Sequence, residues 1–108
     1  MTQESGTELD QLSLIKQLVL ERRYHFSKKV LWFIEEGFFE EADLRACVRN
    51  AKGIRKIEDD ELETAVNGCK YTILGHDRFG NRFYTCGKIL LSEHDQQLYF
   101  FITAHEAN

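Results

Sequence analysis

The chain has 108 residues, 43% hydrophobic and 30% charged, with a net charge of −4. That length makes one domain, large enough to bury a core with no metal or disulfide as a staple. Eight Phe, four Tyr and one Trp exclude a disordered chain, and no apolar run approaches the ~18 residues of a membrane-spanning helix. Residues 1–6 are polar and acidic, without the basic and apolar regions of a signal peptide. They read as a disordered tail ahead of a single domain over residues 7–108, and the expected location is the cytoplasm.

From residue 7 to about residue 22, Leu12, Ile15, Leu18 and Val19 recur on one stripe of an amphipathic helix. Thr7 suits its N-cap, and Glu8 and Asp10 complement the N-terminal dipole. After a short Tyr24-His25-Phe26 piece, Ser27 suits the N-cap of a second helix with Val30, Phe33 and Ile34 on one face and Gly37 as its stop. A third helix is predicted over residues 40–51. Acids crowd its first turns and bases its last, and Leu44, Cys47 and Val48 form its buried stripe.

Beyond Gly53 the period changes to that of strands. Residues 54–58, 71–76, 83–91 and 98–104 are rich in β-branched and aromatic residues, separated by polar turns. The strongest local signal is Asp77-Arg78-Phe79-Gly80, which suits a type I turn with glycine in the left-handed position. The fold class expected is α+β: two or three N-terminal helices packed on one face of a three- or four-stranded antiparallel β-meander.

No glycine-rich phosphate loop, metalloprotease motif, nucleophile elbow or calcium loop is present. Cys47, Cys69 and Cys86 are too far apart for a metal or redox pair and read as reduced thiols. The four histidines are scattered, and strand histidines at unrelated spacings, His76 and His105 included, read as polar-face residues. No metal and no cofactor are expected. The basic residues are clustered, however. Five lie between Leu44 and Ile57 with no acid among them, and Arg45, Arg49 and Lys52 share one helix face, followed by Arg55. That stripe suits a phosphate backbone, or equally a solvated face that offsets the helix dipole. Arg78 and Arg82 bracket the hairpin tip, where Phe79 is apolar at a position that is normally solvated. The aromatic residues concentrate on the sheet, and the strand pattern does not say which of them face the helices and which face solvent.

Three segments resemble a bacterial family of small proteins that is considered distantly related to the BrnT- and RelE-type toxins. They are Tyr24-His25-Phe26-Ser27-Lys28-Lys29-Val30, the stretch from Tyr71 to Arg82, and Phe101-Ile102-Thr103-Ala104-His105-Glu106. The resemblance spans about four-fifths of the chain, in the family's order. It implies a helix-plus-small-sheet platform that cleaves RNA without a metal, often on the ribosome, and is restrained by a cognate antitoxin-like protein. Such cleavage needs cations on the phosphate, help for the 2′-hydroxyl and a proton donor for the leaving oxygen. The nominated catalytic residues are Lys29, Arg78, Arg82, Tyr84 and His105, with Arg45, Arg49, Lys52 and Arg55 as RNA-binding residues. Three positions depart from the family pattern: Lys29 stands in place of a His, Arg82 in place of a frequent Pro, and His105 in place of a Tyr. A Lys with an ordinary pKa near ~10.4 is a poor base but a good phosphate clamp. The alternative is a non-catalytic interaction module, homodimeric through an exposed C-terminal edge strand.

Overall fold

The computed structural model describes residues 3–107, and among them the chain forms three helices and five strands. Helix α1 (Gln3–Leu20) is followed by strand β1 (Tyr24–Phe26), helix α2 (Lys28–Glu35) and helix α3 (Glu41–Asn50). Strands β2 (Ile54–Asp59), β3 (Cys69–His76), β4 (Arg82–Leu91) and β5 (Gln97–Glu106) complete the chain. The class is α+β. Residues 1–2 of the expected tail lie outside the described residues; α1 runs from Gln3, so Thr7 lies within the helix rather than at its cap.

The sheet has five strands in the order β1-β5-β4-β3-β2 and is mixed, which corrects the expected three- or four-stranded antiparallel meander. Neighbours from β2 to β5 are antiparallel, while β1 lies parallel to β5, with Tyr24, His25 and Phe26 opposite Tyr99, Phe100 and Phe101. The C-terminal strand is therefore interior along that stretch. Three residues were too few to signal a strand, yet they pair with Tyr99, Phe100 and Phe101, part of the 98–104 edge through which the dimer was expected.

One face of the sheet meets the helices. Ile15 and Leu18 of α1, Val30 of α2, and Leu44, Cys47 and Val48 of α3 form one core with Tyr71, Ile73, Phe83, Ile89, Tyr99 and Phe101. The helix termini follow local chemistry. Ser27 Oγ accepts from Val30 N at 3.1 Å and donates to the Ile102 carbonyl at 2.8 Å, so the cap of α2 is also a tie to β5. Helix α2 ends in a Schellman arrangement, with Gly37 at φ +84° donating to Ile34 O and Phe38 N donating to Phe33 O. At the far end of α3, the Asn50 amide accepts from His76 N (2.9 Å) and donates to His76 O (3.1 Å), completing the pairing of β3 where β2 has not yet begun. Helix α3 lies so close to β3 that a Cβ on Gly75 would overlap the Cys47 carbonyl oxygen.

The turn at residues 77–80 forms as predicted. Gly80 takes φ +86° and donates to Asp77 O at 3.1 Å, and Asp77 Oδ1 accepts from Phe79 N and Asn81 N, each at 2.9 Å. These bonds, opposing burial, hold the Asp77 carboxyl below its usual range.

Candidate functional site: the uncovered face of the sheet

No helix among the described residues covers the second face of the sheet, and the strand register decides which side chains stand there. Tyr84 lies opposite Leu74 of β3 on one side and His105 of β5 on the other. Because side chains alternate along a strand, Phe83 and Thr85 enter the core while Tyr84 and Cys86 face outward. The Tyr84 and His105 rings meet nearly edge to face, with centroids 4.0 Å apart.

Around that pair is a shallow hollow of about 580 Å³, whose rim carries Arg55, Lys56 and Arg82, with Thr72 and Leu74 as its floor. Glu106 also reaches it. Arg55 and Lys56 line it together although they are sequential. The register of β2 against β3 shifts between Ile54 and Lys56, and such a bulge re-aims one residue of an alternating pair. Lys52 lines an adjoining hollow that shares Arg82 and Leu74. The end of β4 away from this site is closed by Asp60. Its carboxylate meets the buried Lys88 ammonium at 3.1 and 3.2 Å and accepts from the backbone of Leu62, Thr64 and Ala65. Burial alone would raise the Asp60 pKa, but these hydrogen bonds outweigh it and hold the carboxyl well below the usual range.

The nominated residues divide. Arg82, Tyr84, His105 and Arg55 gather in one hollow, with Lys52 beside it. Arg78 turns to the helix side of the hairpin: its Nη1 donates to Glu40 at 2.9 Å and its Nε lies 3.2 Å from Asp43 Oδ1. Glu40 above all, with Asp43 and Asp77, raises its pKa further. It is engaged as a clamp between the turn and α3. Arg45 and Arg49 line a separate groove of about 290 Å³ between α1 and α3, with Lys16. Lys29 is exposed in the first turn of α2 and does not line the hollow. Lys56 was counted in the basic cluster but not nominated for the site, and Thr72 and Leu74 were not singled out; the β2–β3 register sets Lys56 opposite Thr72, and the β3–β4 register sets Leu74 opposite Tyr84.

Among the described residues no group of three His, Cys, Asp or Glu is placed to hold a metal ion, and no helix is long and apolar enough to cross a membrane. No protein-family model matches the chain, and no curated protein or solved structure matches it either.

Proposed function

We propose that the uncovered sheet face binds single-stranded RNA, in keeping with the resemblance to RelE- and BrnT-type proteins. The observation that carries this reading is the gathering of Arg55, Lys56 and Arg82 around the Tyr84–His105 pair on a face that no helix covers. Aromatic rings on an open sheet stack unpaired bases, and flanking cations follow the phosphates. The concentration of positive charge on this rim, in a chain of net charge −4, favours one groove for the strand over a generally basic surface. In this reading Arg82 clamps a phosphate, Tyr84 stacks a base and His105 is the proton carrier. The same three residues make a metal-independent cut at the 2′-hydroxyl the associated activity. Lys29 and Arg78 have no part in it.

The test is titration of a short labelled single-stranded RNA, followed by anisotropy, with a duplex of the same sequence as the control. Saturable binding is expected for the single strand. Three phosphate contacts give a log K against log salt slope of about −2, shallower by about 0.7 for Arg82→Ala. Tyr84→Ala is expected to weaken binding about fivefold to a hundredfold, the range for one lost stacking contact. Equal affinity of both variants and the parent, or no binding, would overturn the reading. Cleavage is scored on the same RNA in chelator, where products dependent on His105 and Arg82 support it and intact RNA removes it.

A further inference from the structure

A second surface differs from the first in charge and in shape. Phe38, just after α2, is 63% exposed, and Phe79 at the hairpin tip is 73% exposed. Both line a hollow of about 610 Å³ between α2, α3 and the turn. Trp32, itself 51% exposed, stacks on Phe38 with centroids 5.9 Å apart and planes 28° apart, which extends the apolar surface along α2. Local structure explains why these rings are outside. The Schellman ending of α2 directs the chain so that Phe39 enters the core and Phe38 does not, and the two-residue tip of the hairpin leaves Phe79 no core to enter.

Apart from Asn81 and Arg78, the polar side chains at this hollow are acidic. Glu40, Glu41, Asp77 and Glu106 line it, and the single cation, Arg78, is already held by Glu40 and Asp43 while stacking 4.6 Å from the Phe79 centroid. Glu35 and Glu36 are exposed at the end of the neighbouring helix. Aromatic faces and carboxylates both attract guanidinium and ammonium groups, while a phosphate backbone is repelled. Exposed rings of this number in one patch mark an interaction surface rather than ordinary surface scatter.

We propose that this corner is a docking groove for a segment of another protein that carries an apolar anchor flanked by Arg or Lys. The anchor is seated against Phe38 and Phe79, and the basic residues meet Glu41 and Glu106. Glu106 borders both hollows, but the inference does not rest on RNA binding, because Phe38, Phe79 and Glu41 lie outside the basic hollow.

Selection of random dodecapeptides displayed on phage tests it, with counter-selection on a Phe38→Ala, Phe79→Ala double variant. All substituted side chains are at the surface, and circular dichroism confirms that the variants fold. The enriched peptides are expected to combine two or more basic residues with a Leu, Phe or Trp. Synthesised, they should produce a saturable change in Trp32 fluorescence, the signal of the one Trp in the chain. Roughly tenfold weaker binding is expected for Phe38→Ala, and roughly threefold to tenfold for Glu41→Gln with Glu106→Gln, falling further with salt. Enriched peptides without basic residues, peptides that bind the double variant equally well, or no groove-dependent peptide would overturn the proposal. So would a mass that rises with protein concentration and returns to the monomer value on Phe38→Ala, since the occupant would then be a second copy.

Discussion

Two glycines show how closely single residues are constrained. Gly75 and Gly87 both face the helix side of the sheet, and a Cβ on either meets atoms that cannot yield: the Cys47 carbonyl for Gly75 and the Tyr99 ring for Gly87. Gly75→Ala is expected to cost about 3 kcal/mol in urea unfolding, at the upper end for overpacking because the obstacle is backbone. For Gly87→Ala the obstacle is a side chain, so Tyr99→Leu should recover part of the loss. The double variant is expected to be clearly less destabilised than the sum of the two single changes. The Asp60–Lys88 pair gives a prediction in pH. The Asp60 pKa in the folded protein lies below its unfolded value near ~3.9. Its contribution is therefore complete above that value and is lost as pH falls through the folded one. Urea midpoints measured from neutral pH downward should fall more steeply on the acid side for the parent than for Asp60→Asn. An equal slope would show that other carboxylates dominate the acid limb.

At the scale of elements, most boundaries were legible because they rest on local chemistry. Ser27 caps α2, Gly37 ends it, and Asp77 and Gly80 shape the turn, each through contacts within four or five residues. What local chemistry did not reveal was that Tyr24–Phe26 forms a strand, since parallel pairing with β5 depends on residues some seventy-five positions away. Ser27 joins the two kinds of information, because its hydroxyl caps α2 and also donates to Ile102 of β5. Ser27→Ala is expected to cost about 1–2 kcal/mol. Ser27→Asp keeps a cap acceptor but has no proton for the Ile102 carbonyl, so it should recover only part of that loss. Hydrogen exchange at β1 should quicken in both variants; unchanged exchange there would mean that the cap does not hold the β1–β5 edge.

For the whole molecule, one continuous core implies that the helices and the sheet unfold together. Cys47 provides a probe of this. It is fully buried between α3 and the sheet, where its thiol lies within hydrogen-bond reach of the Ile73 and Phe83 carbonyls, and burial pushes its pKa up to about 11. Cys69 and Cys86 are only half-buried. With a thiol reagent at neutral pH, Cys47 is expected to react last and at the rate of global opening, with the denaturant dependence of unfolding itself. Reaction of Cys47 without denaturant dependence would mean that α3 opens separately from the sheet.

The candidate site was legible only in part, for a reason of the same kind. Arg82, Tyr84, His105 and Arg55 were nominated from residue type and resemblance, and the sheet gathers them in one hollow; Arg78, Lys29, Arg45 and Arg49 were nominated on the same grounds and lie elsewhere. Residue type says what a side chain can do, but not which face of a strand it occupies or whether a neighbour has already claimed its charge. Arg78 illustrates this, since Glu40 and Asp43 precede it by more than thirty residues. By itself the sequence determined the α+β class, the ends of α2 and α3 and the hairpin turn, because period, capping and turn geometry act over a few residues. Strand order, the parallel edge, the bulge that turns Arg55 and Lys56 to one side and the separation of a basic face from an acidic aromatic corner were decided by tertiary structure, because each depends on pairing between residues far apart in the chain.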